Sequence, residues 1–177
     1  NTVFPVPTPS ELEEIDRLTI DLSLDNIILQ TNGISVRYGQ HIDNYLVYLI
    51  CADSYEFGDL RLINEHASKA NQVVILGGGI GIIASALARK TGAPVLVFDA
   101  NPSLLPHIVD TGNLNGVSLI AKHGAIARHG GKKAQFQLSA EFWASSLNEN
   151  THRRTNTMEV PTISFLEALG DAETVFI

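Results

Sequence analysis

Apolar residues fall into short runs along this chain, and the spacing of the runs predicts strands that alternate with helices. The stretches Val73-Val-Ile-Leu76 and Val95-Leu-Val-Phe98 are continuously apolar, which is typical of strands covered on both faces of a sheet. Between them, apolar residues recur at helical spacing at Ile80, Ile83, Ala84 and Leu87. Strand, helix and strand in this order predict a β-α-β unit with parallel strands.

A second unit of the same kind follows the first. Asn101-Pro102 combines a capping residue with a first-turn proline, so a helix is predicted from there to about Asn115. The helix residues expected to face the sheet are Leu104, Leu105, Ile108 and Val109. Val117-Ser-Leu-Ile-Ala121 is again continuously apolar and predicts a third buried strand.

The residues after the third strand predict a mixture of elements. Gly124-Ala-Ile-Ala-Arg128 and Lys133-Ala-Gln-Phe-Gln-Leu138 flank a glycine pair and predict a hairpin. Ser139 to Glu159 is largely polar without a clear period and predicts a loop. Ser164-Phe-Leu-Glu167 has the form of a capping box that opens a helix, and Thr174-Val-Phe-Ile177 predicts a fourth core strand.

The N-terminal third of the chain predicts a separate set of elements. Ser10-Glu-Leu-Glu13 has the form of a capping box and predicts a short helix. Ile27-Ile-Leu-Gln30 and Ile34-Ser-Val-Arg37 are joined across an Asn-Gly pair, which tolerates the positive φ angles of a tight hairpin turn. Apolar spacing predicts one helix from Asp43 and another from Phe57 to Ala67.

These elements predict an α/β fold with a doubly wound, mainly parallel sheet and an N-terminal helix and β-hairpin appendage. We expect residues 1–54 to form the arm, helix and hairpin, and residues 55–177 to form the sheet domain. Because the sequence stops within an apolar strand, the sheet domain is expected to be incomplete at its C-terminal end. The sheet edge exposed there is a candidate surface for a homo-oligomer.

Composition and charge narrow the classes of function. The chain has 177 residues, of which 45% are hydrophobic, so it can bury a substantial core. Its formal net charge of -7 makes nucleic acid and anionic membranes unfavourable partners, and a small molecule is favoured. The one cysteine, Cys51, lies in an apolar stretch, which predicts a buried thiol and fits a cytoplasmic location.

Candidate chemistry is concentrated at two strand ends. Glycines cluster after the first buried strand, at Gly77, Gly78, Gly79 and Gly81, and such density predicts a turn that a ligand approaches closely. Asp99 ends the second strand, where folds of this kind place an acid for ribose hydroxyls. The pattern therefore predicts a nucleotide-cofactor site, with a tight turn that binds nothing as the alternative.

Two cofactor classes fit the glycines. Gly79-Ile-Gly-Ile-Ile-Ala84 matches a loose dinucleotide pattern, whereas Gly77-Gly-Gly-Ile-Gly81 matches the pattern used for S-adenosylmethionine. A short-chain dehydrogenase would also need a Tyr-x-x-x-Lys pair after the third strand, and every tyrosine precedes the glycines. S-adenosylmethionine is therefore favoured. An NAD(P)-dependent oxidoreductase and a non-catalytic nucleotide-binding or interaction domain are the alternatives.

The chain resembles the FkbM-type family of S-adenosylmethionine-dependent methyltransferases, whose domains have a class I Rossmann-like fold. The resemblance is carried by Tyr55-Glu56, Val73-Val-Ile-Leu-Gly-Gly-Gly-Ile-Gly81, Val97-Phe-Asp-Ala-Asn-Pro102, Asn113-Leu-Asn-Gly116 and Val160-Pro-Thr-Ile-Ser-Phe-Leu-Glu167. It implies a seven-stranded doubly wound fold and O-methylation of a small-molecule acceptor, often a sugar or polyketide hydroxyl.

The resemblance also implies cofactor-binding residues. These are Glu56, Gly77, Gly78, Gly79, Gly81, Asp99, Ala100, Gly124 and Ala125. The glycines would line the methionine end of the cofactor, and Asp99 would take the ribose hydroxyls in place of the family's usual glutamate. Ala100, Gly124 and Ala125 fall where adenine contacts lie, and Glu56 approaches from the upstream segment. No catalytic residue is implied.

The chain departs from the family pattern in two places. Ile75 stands where many such enzymes have an acid near the methionine amine, and the Asp-x-Glu-Gly segment expected after the fourth strand is missing because the sequence stops. No metal site is expected, since His123 and His129 have no third ligand at a suitable spacing.

Overall fold

The computed structural model of the chain describes residues 8–11, 13–14, 27–139 and 154–170, with side chains from 157 onward in the last range. Its strands are β1 (Ile28–Thr31), β2 (Ile34–Arg37), β3 (Val73–Leu76), β4 (Val95–Asp99), β5 (Leu119–His123), β6 (Ala125–Ala127), β7 (Lys133–Ser139) and β8 (Arg154–Ser164). Its helices are α1 (Asn44–Cys51), α2 (Phe57–His66), α3 (Ile82–Thr91), α4 (Leu105–Leu114, after a 3-10 turn at Pro102–Leu104) and α5 (Phe165–Leu169).

Strands β3, β4 and β5 form a parallel sheet in that order. Val73 pairs with Val95, and Val95 pairs with Leu119, so the three carboxyl ends reach the same edge. Helix α3 connects β3 to β4, and α4 connects β4 to β5. The predicted β-α-β units are therefore confirmed, and the described residues have a Rossmann-like α/β architecture.

Alternate residues of the sheet enter two different cores. Ile75 and Val97 pack on the face that carries α3 and α4, in a cluster that also takes in the hairpin and α1. Val74 and Phe98 pack on the opposite face, against Ala168 of α5. Helices thus lie on both faces of the sheet, as predicted for a doubly wound fold.

The predicted hairpin between β6 and β7 is wrong. Strand β8 lies between them, parallel to β6 and antiparallel to β7. The segment predicted as a loop therefore contains strand from Arg154 to Glu159. Pro161 weakened the strand signal, because a proline cannot donate to a sheet ladder. The fully buried Val160 nonetheless fixes β8 in the centre of this second sheet.

The third strand of the parallel sheet begins later than predicted and is only half covered. The backbone N–H of Val117 donates to Gly112 O in the turn after α4, so pairing starts at Leu119. Ile120 is 49% exposed, since β5 has a neighbour on one side only among the described strands. Val109 was predicted to face the sheet but is 39% exposed, whereas Ile108 is fully buried.

The N-terminal elements agree with the pattern, with one shift. Asn32 and Gly33 form the hairpin turn, both with positive φ, and Asp43 caps α1 by accepting from Leu46 N. The N-terminal capping box lies at Thr8 and Glu11, two residues earlier than predicted: Glu11 Oε2 accepts from Thr8 N at 2.7 Å. The division into residues 1–54 and 55–177 stays a prediction.

Three further expectations concern single segments. Cys51 is exposed, so the prediction of a buried thiol is wrong; it ends α1 on the side turned away from the core. Ser164 and Glu167 form the predicted capping box, and Gly170 follows the helix as predicted.

The predicted strand Thr174–Ile177 and its edge lie outside the described residues. Within the described ranges, no helix combines the length and apolar character needed to cross a membrane.

Candidate functional site

A cavity of about 410 Å³ opens at the carboxyl ends of β3 and β4. Parallel α/β sheets bind ligands at this edge, where the loops that follow the strands surround a crevice. The segment before α2 contributes one wall through Tyr55 and Glu56, and β6 with β7 contribute another. The volume is in the range of small-molecule sites.

The cavity brings together most of the predicted cofactor-binding residues. Its lining includes Glu56, Gly77, Gly79, Asp99, Ala100, Gly124 and Ala125. Gly78 and Gly81, which were predicted with them, are not part of the lining. Residues far apart in sequence therefore converge as the strand order requires, while two glycines of the loop have another purpose.

Packing explains those two glycines. A Cβ on Gly78 would overlap Val97 and would lie 2.7 Å from Ile108 Cδ1, inside the core between the sheet and α4. A Cβ on Gly81 would lie 3.1 Å from the Cα atom of Ile108, so α4 crosses the loop at close range. The sequence could not separate these glycines from ligand-facing ones, because both kinds lack a side chain for steric reasons.

Gly77 is the opposite case. Its φ is +88°, and a Cβ built there meets no atom within 4 Å. It lines the cavity, so its open side faces space that a ligand can occupy. A side chain at this position would enter that space in a strained backbone conformation. This is the geometry expected of a loop that cradles a bound molecule.

Asp99 braces the glycine loop from the end of β4. Its Oδ2 accepts hydrogen bonds from Gly78 N at 2.9 Å and Gly79 N at 3.2 Å. Its Oδ1 accepts from Asn101 N at 2.8 Å. Burial raises the pKa of Asp99, and these three N–H donors oppose the rise by stabilising the carboxylate.

The hydrogen bonds of Asp99 limit what else it can bind. A carboxylate offers about four acceptor positions, and backbone N–H groups occupy three of them. The remaining position is on Oδ1. Asp99 can therefore accept from one further hydroxyl without disturbing the loop, whereas two ribose hydroxyls were predicted.

Glu56 is the second carboxylate of the cavity. It lies at the start of α2 with a left-handed backbone, φ 48°, which non-glycine residues seldom adopt. Part of its surface is exposed, yet the cavity wall removes enough water from its carboxyl group to raise its pKa to about 7. The Tyr55 hydroxyl donates a hydrogen bond to it, and burial together with the Glu56 charge raises the pKa of Tyr55.

Several lining residues were not predicted. Phe98, Ile126 and Phe136 supply an apolar wall beside Ala100 and Ala125. Leu76 lines the cavity at the end of β3, and Asn101 and Leu104 line it after the end of β4. A usable signal existed for Phe98, which precedes the predicted acid, and for Asn101, which lies two residues after it. Phe136 reaches the cavity only because β8 positions β7.

The structure also shows where two other residues from the sequence analysis lie. Ile75 is buried in the core on the face that carries α3 and α4, so β3 presents no acid to the cavity at that residue. His123 ends β5, with its Nε2 3.1 Å from Ala100 O. Across the described residues, no three His, Cys, Asp or Glu side chains converge on a point that could hold a metal ion.

Comparison with known proteins gave structural neighbours only. No protein-family model and no curated protein matches the chain. A Pyrococcus horikoshii protein assigned as a transferase (PH0793) is similar over 61% of this chain and 44% of its own, with 16% identity and a TM-score of 0.43. A Galdieria sulphuraria protein assigned as a sarcosine dimethylglycine methyltransferase is similar over 63% and 42%, with 15% identity and a TM-score of 0.35.

A third neighbour is coclaurine N-methyltransferase bound to N-methylheliamine and SAH. It is similar over 86% of this chain and 61% of its own, with 15% identity and a TM-score of 0.37. The chain thus spans about two fifths to three fifths of these proteins' lengths. Similarity at these sequence identities and TM-scores does not assign an activity to the chain. The strand order, the flanking helices and the cavity at the carboxyl edge identify the chain as a Rossmann-like α/β protein with a candidate cofactor site.

Proposed function

We propose that this protein binds S-adenosylmethionine and acts as a methyltransferase. The observation that carries the proposal is the charge of the cavity: its lining holds the carboxylates of Glu56 and Asp99 and, among the described residues, no Lys, Arg or His. S-adenosylmethionine carries a sulfonium and an ammonium group against one carboxylate, so its net charge is positive and it suits an anionic site. It supplies an activated methyl group, and the protein has to hold donor and acceptor in line.

The hydrogen bonds within the glycine loop and from the loop to Asp99 disfavour NAD(P) as the cofactor. A dinucleotide places its pyrophosphate on free N–H groups of the glycine loop and the following helix. Here Gly78 N and Gly79 N donate to Asp99, and Gly81 N donates to Gly78 O. A pyrophosphate would have to displace the Asp99 carboxylate and would then lie against a negative charge. An oxidoreductase is therefore the weaker candidate.

In the proposed complex, each side of the cavity contacts a different part of the cofactor. The free acceptor position of Asp99 takes a ribose hydroxyl, and the open side of Gly77 admits the methionine part of the cofactor. Adenine packs between Ala100 and the apolar wall of Phe98, Ile126 and Phe136. The family resemblance supports O-methylation of a sugar or polyketide hydroxyl as the finer reaction. We also propose the cytoplasm as the compartment, because the single cysteine cannot form an internal disulfide.

One observation favours a second candidate. Ile75 places no acid in the cavity, which is compatible with a domain that binds an adenosyl compound without catalysis. The two candidates differ in methyl transfer and agree in cofactor binding. A methyltransferase transfers a labelled methyl group from S-adenosylmethionine to hydroxyl acceptors of a sugar or polyketide panel, whereas a binding domain transfers none.

Side-by-side titration tests the cofactor. We expect S-adenosylmethionine and S-adenosylhomocysteine to stabilise the protein by about 2.7 kcal/mol at 100 times their Kd, with a matching rise in Tm. NAD at the same concentration should produce no shift. A shift with NAD and none with S-adenosylhomocysteine would reverse the assignment in favour of an oxidoreductase. No shift with any of them would remove the proposed function altogether.

A further inference from the structure

Glu56 is a carboxylate that the fold exposes to the cavity, and no cationic side chain of the described residues pairs with it. The groups that shift its pKa are its burial, the Tyr55 hydroxyl and the Asp59 charge, and none of them is a cation. Ion pairs among the described residues involve other acids, such as Asp110 with Arg37. A partly desolvated carboxylate without a counter-charge lowers the stability of the folded state.

The backbone at Glu56 is strained as well. Its φ of 48° begins α2 in the left-handed region, where a residue with a Cβ costs of order 1–3 kcal/mol. Strain of this kind persists where the surrounding structure fixes it. Here the buried Tyr55 anchors the segment, and its hydroxyl holds the Glu56 carboxyl group by a hydrogen bond. The structure thus fixes the carboxyl group at the cavity wall.

Glu56 also differs from the other carboxylate of the cavity. Most acceptor positions of Asp99 are occupied by the backbone N–H groups of the loop and of Asn101. The Tyr55 hydroxyl takes one of the acceptor positions of Glu56, so several remain for a ligand. Ile75 faces the core, so β3 supplies no alternative acid.

We propose that Glu56, oriented by Tyr55, is the counter-charge for the α-ammonium group of the bound cofactor's methionine part. This inference rests on the proposed S-adenosylmethionine site and names the group that replaces an acid at Ile75. A cation at this position compensates the Glu56 carboxylate, and the carboxylate oxygens accept its N–H groups in charge-assisted hydrogen bonds. Glu56 is a cofactor-positioning residue, and the methyl transfer itself needs no proton from it.

The contact between Glu56 and the ammonium group is tested by measuring the Kd of two ligands for two proteins. S-adenosylhomocysteine is compared with its deamino analogue, 5′-adenosylthiobutyrate, which lacks only the amino group, by calorimetric titration of wild type and Glu56→Gln. We expect Glu56→Gln to weaken S-adenosylhomocysteine about 10- to 100-fold and to leave the analogue within about twofold. Glu65→Gln is the matched control, because it removes an exposed carboxylate of the same helix far from the lining and should change neither Kd.

The outcomes separate this inference from the proposed function. Equal weakening of both ligands by Glu56→Gln, or no weakening of either, would overturn the role of Glu56 while leaving the cofactor site in place. Wild type that binds neither ligand would remove the proposed function and this contact with it. Tyr55→Phe is the second variant: it keeps the ring in the core, and we expect a smaller loss, about threefold, confined to the ligand with the amino group.

Discussion

Two carboxylates share one cavity, and their surroundings give them different properties. Asp99 is surrounded by N–H donors and supports the loop, whereas Glu56 meets one hydroxyl and, in the part of the chain that the structure describes, no cation. The sequence indicated Asp99 through its position after a strand, since parallel strands end at a common edge. It could not reveal that the loop itself would occupy the Asp99 oxygens, because this depends on where the glycine amides point.

The pKa of Glu56 predicts a dependence of stability on pH in the unliganded protein. Its folded-state pKa, about 7, lies above the ordinary value of a glutamate carboxyl group, 4.5. A raised pKa means that the contribution of Glu56 to stability is complete below pH 4.5 and is lost as pH rises through 7. We expect Glu56→Gln to match wild type at pH 4 and to be more stable at pH 8. Because Glu56 is partly exposed, we expect about 1 kcal/mol, well below the full effect of the shift.

Urea denaturation of wild type and variant at both pH values measures the difference directly. Tyr55 and Asp59 are the titratable neighbours that affect the pKa of Glu56, and neither is changed by the substitution. Glu65→Gln should show no such pH dependence. A Glu56→Gln variant that is equally stable with wild type at pH 8 would show that the carboxylate is not desolvated in the folded protein.

At the scale of elements, the glycine loop combines two functions. Gly77 opens toward the cavity, while Gly78 and Gly81 permit close packing against α4. The motif therefore serves the fold as much as the ligand.

We expect Gly78→Ala to destabilise the protein by about 1–3 kcal/mol, because its Cβ would overlap the fully buried Val97 and Ile108. Gly58→Ala is the matched control in α2. No atom lies within 4 Å of its Cβ and its φ is not positive, so alanine should stabilise the helix by about 0.5–1 kcal/mol. Thermal unfolding measures both, and a Gly78→Ala protein as stable as wild type would contradict the packing role.

At the scale of the molecule, the hairpin and the parallel sheet belong to one core. Ile34 and Val36 of β2 are buried in the same cluster as the sheet residues that face α3 and α4. Asn115 at the end of α4 connects the two: its Oδ1 accepts from Ser35 N at 2.9 Å, and its Nδ2 donates to Ser35 O at 2.6 Å. We therefore expect the described part of residues 1–54 to unfold together with the sheet.

Asn115→Ala tests this connection. It leaves the backbone groups of Ser35 without their side-chain partner, and we expect a loss of about 2–3 kcal/mol with a single unfolding transition. Arg37→Gln is the control, because its ion pair with Asp110 is partly exposed and is worth at most about 1 kcal/mol. Fluorescence and circular dichroism should report the same midpoint. Two separate transitions would instead support independent units.

Local signals in the sequence were enough to place several elements. Continuous apolar runs indicated β3 and β4, Asn32-Gly33 indicated the hairpin turn, and Ser164 with Glu167 indicated the capping box. Each depends on residues within a few positions of one another, so backbone preference and periodicity suffice. The position of Asp99 beside the glycine loop followed from the same logic, because both follow parallel strands.

The other features depend on pairing between residues that are distant along the chain, so they became visible only in the folded structure. Strand β8 separates β6 from β7, although adjacency along the chain favoured a hairpin. The exposure of Ile120 accompanies the edge position of β5 among the described strands, and the partly desolvated carboxylate of Glu56 follows from the cavity that the sheet builds around it. Which glycines face a ligand and which face α4 is likewise set by the crossing of loop and helix, a property that a sequence motif does not contain.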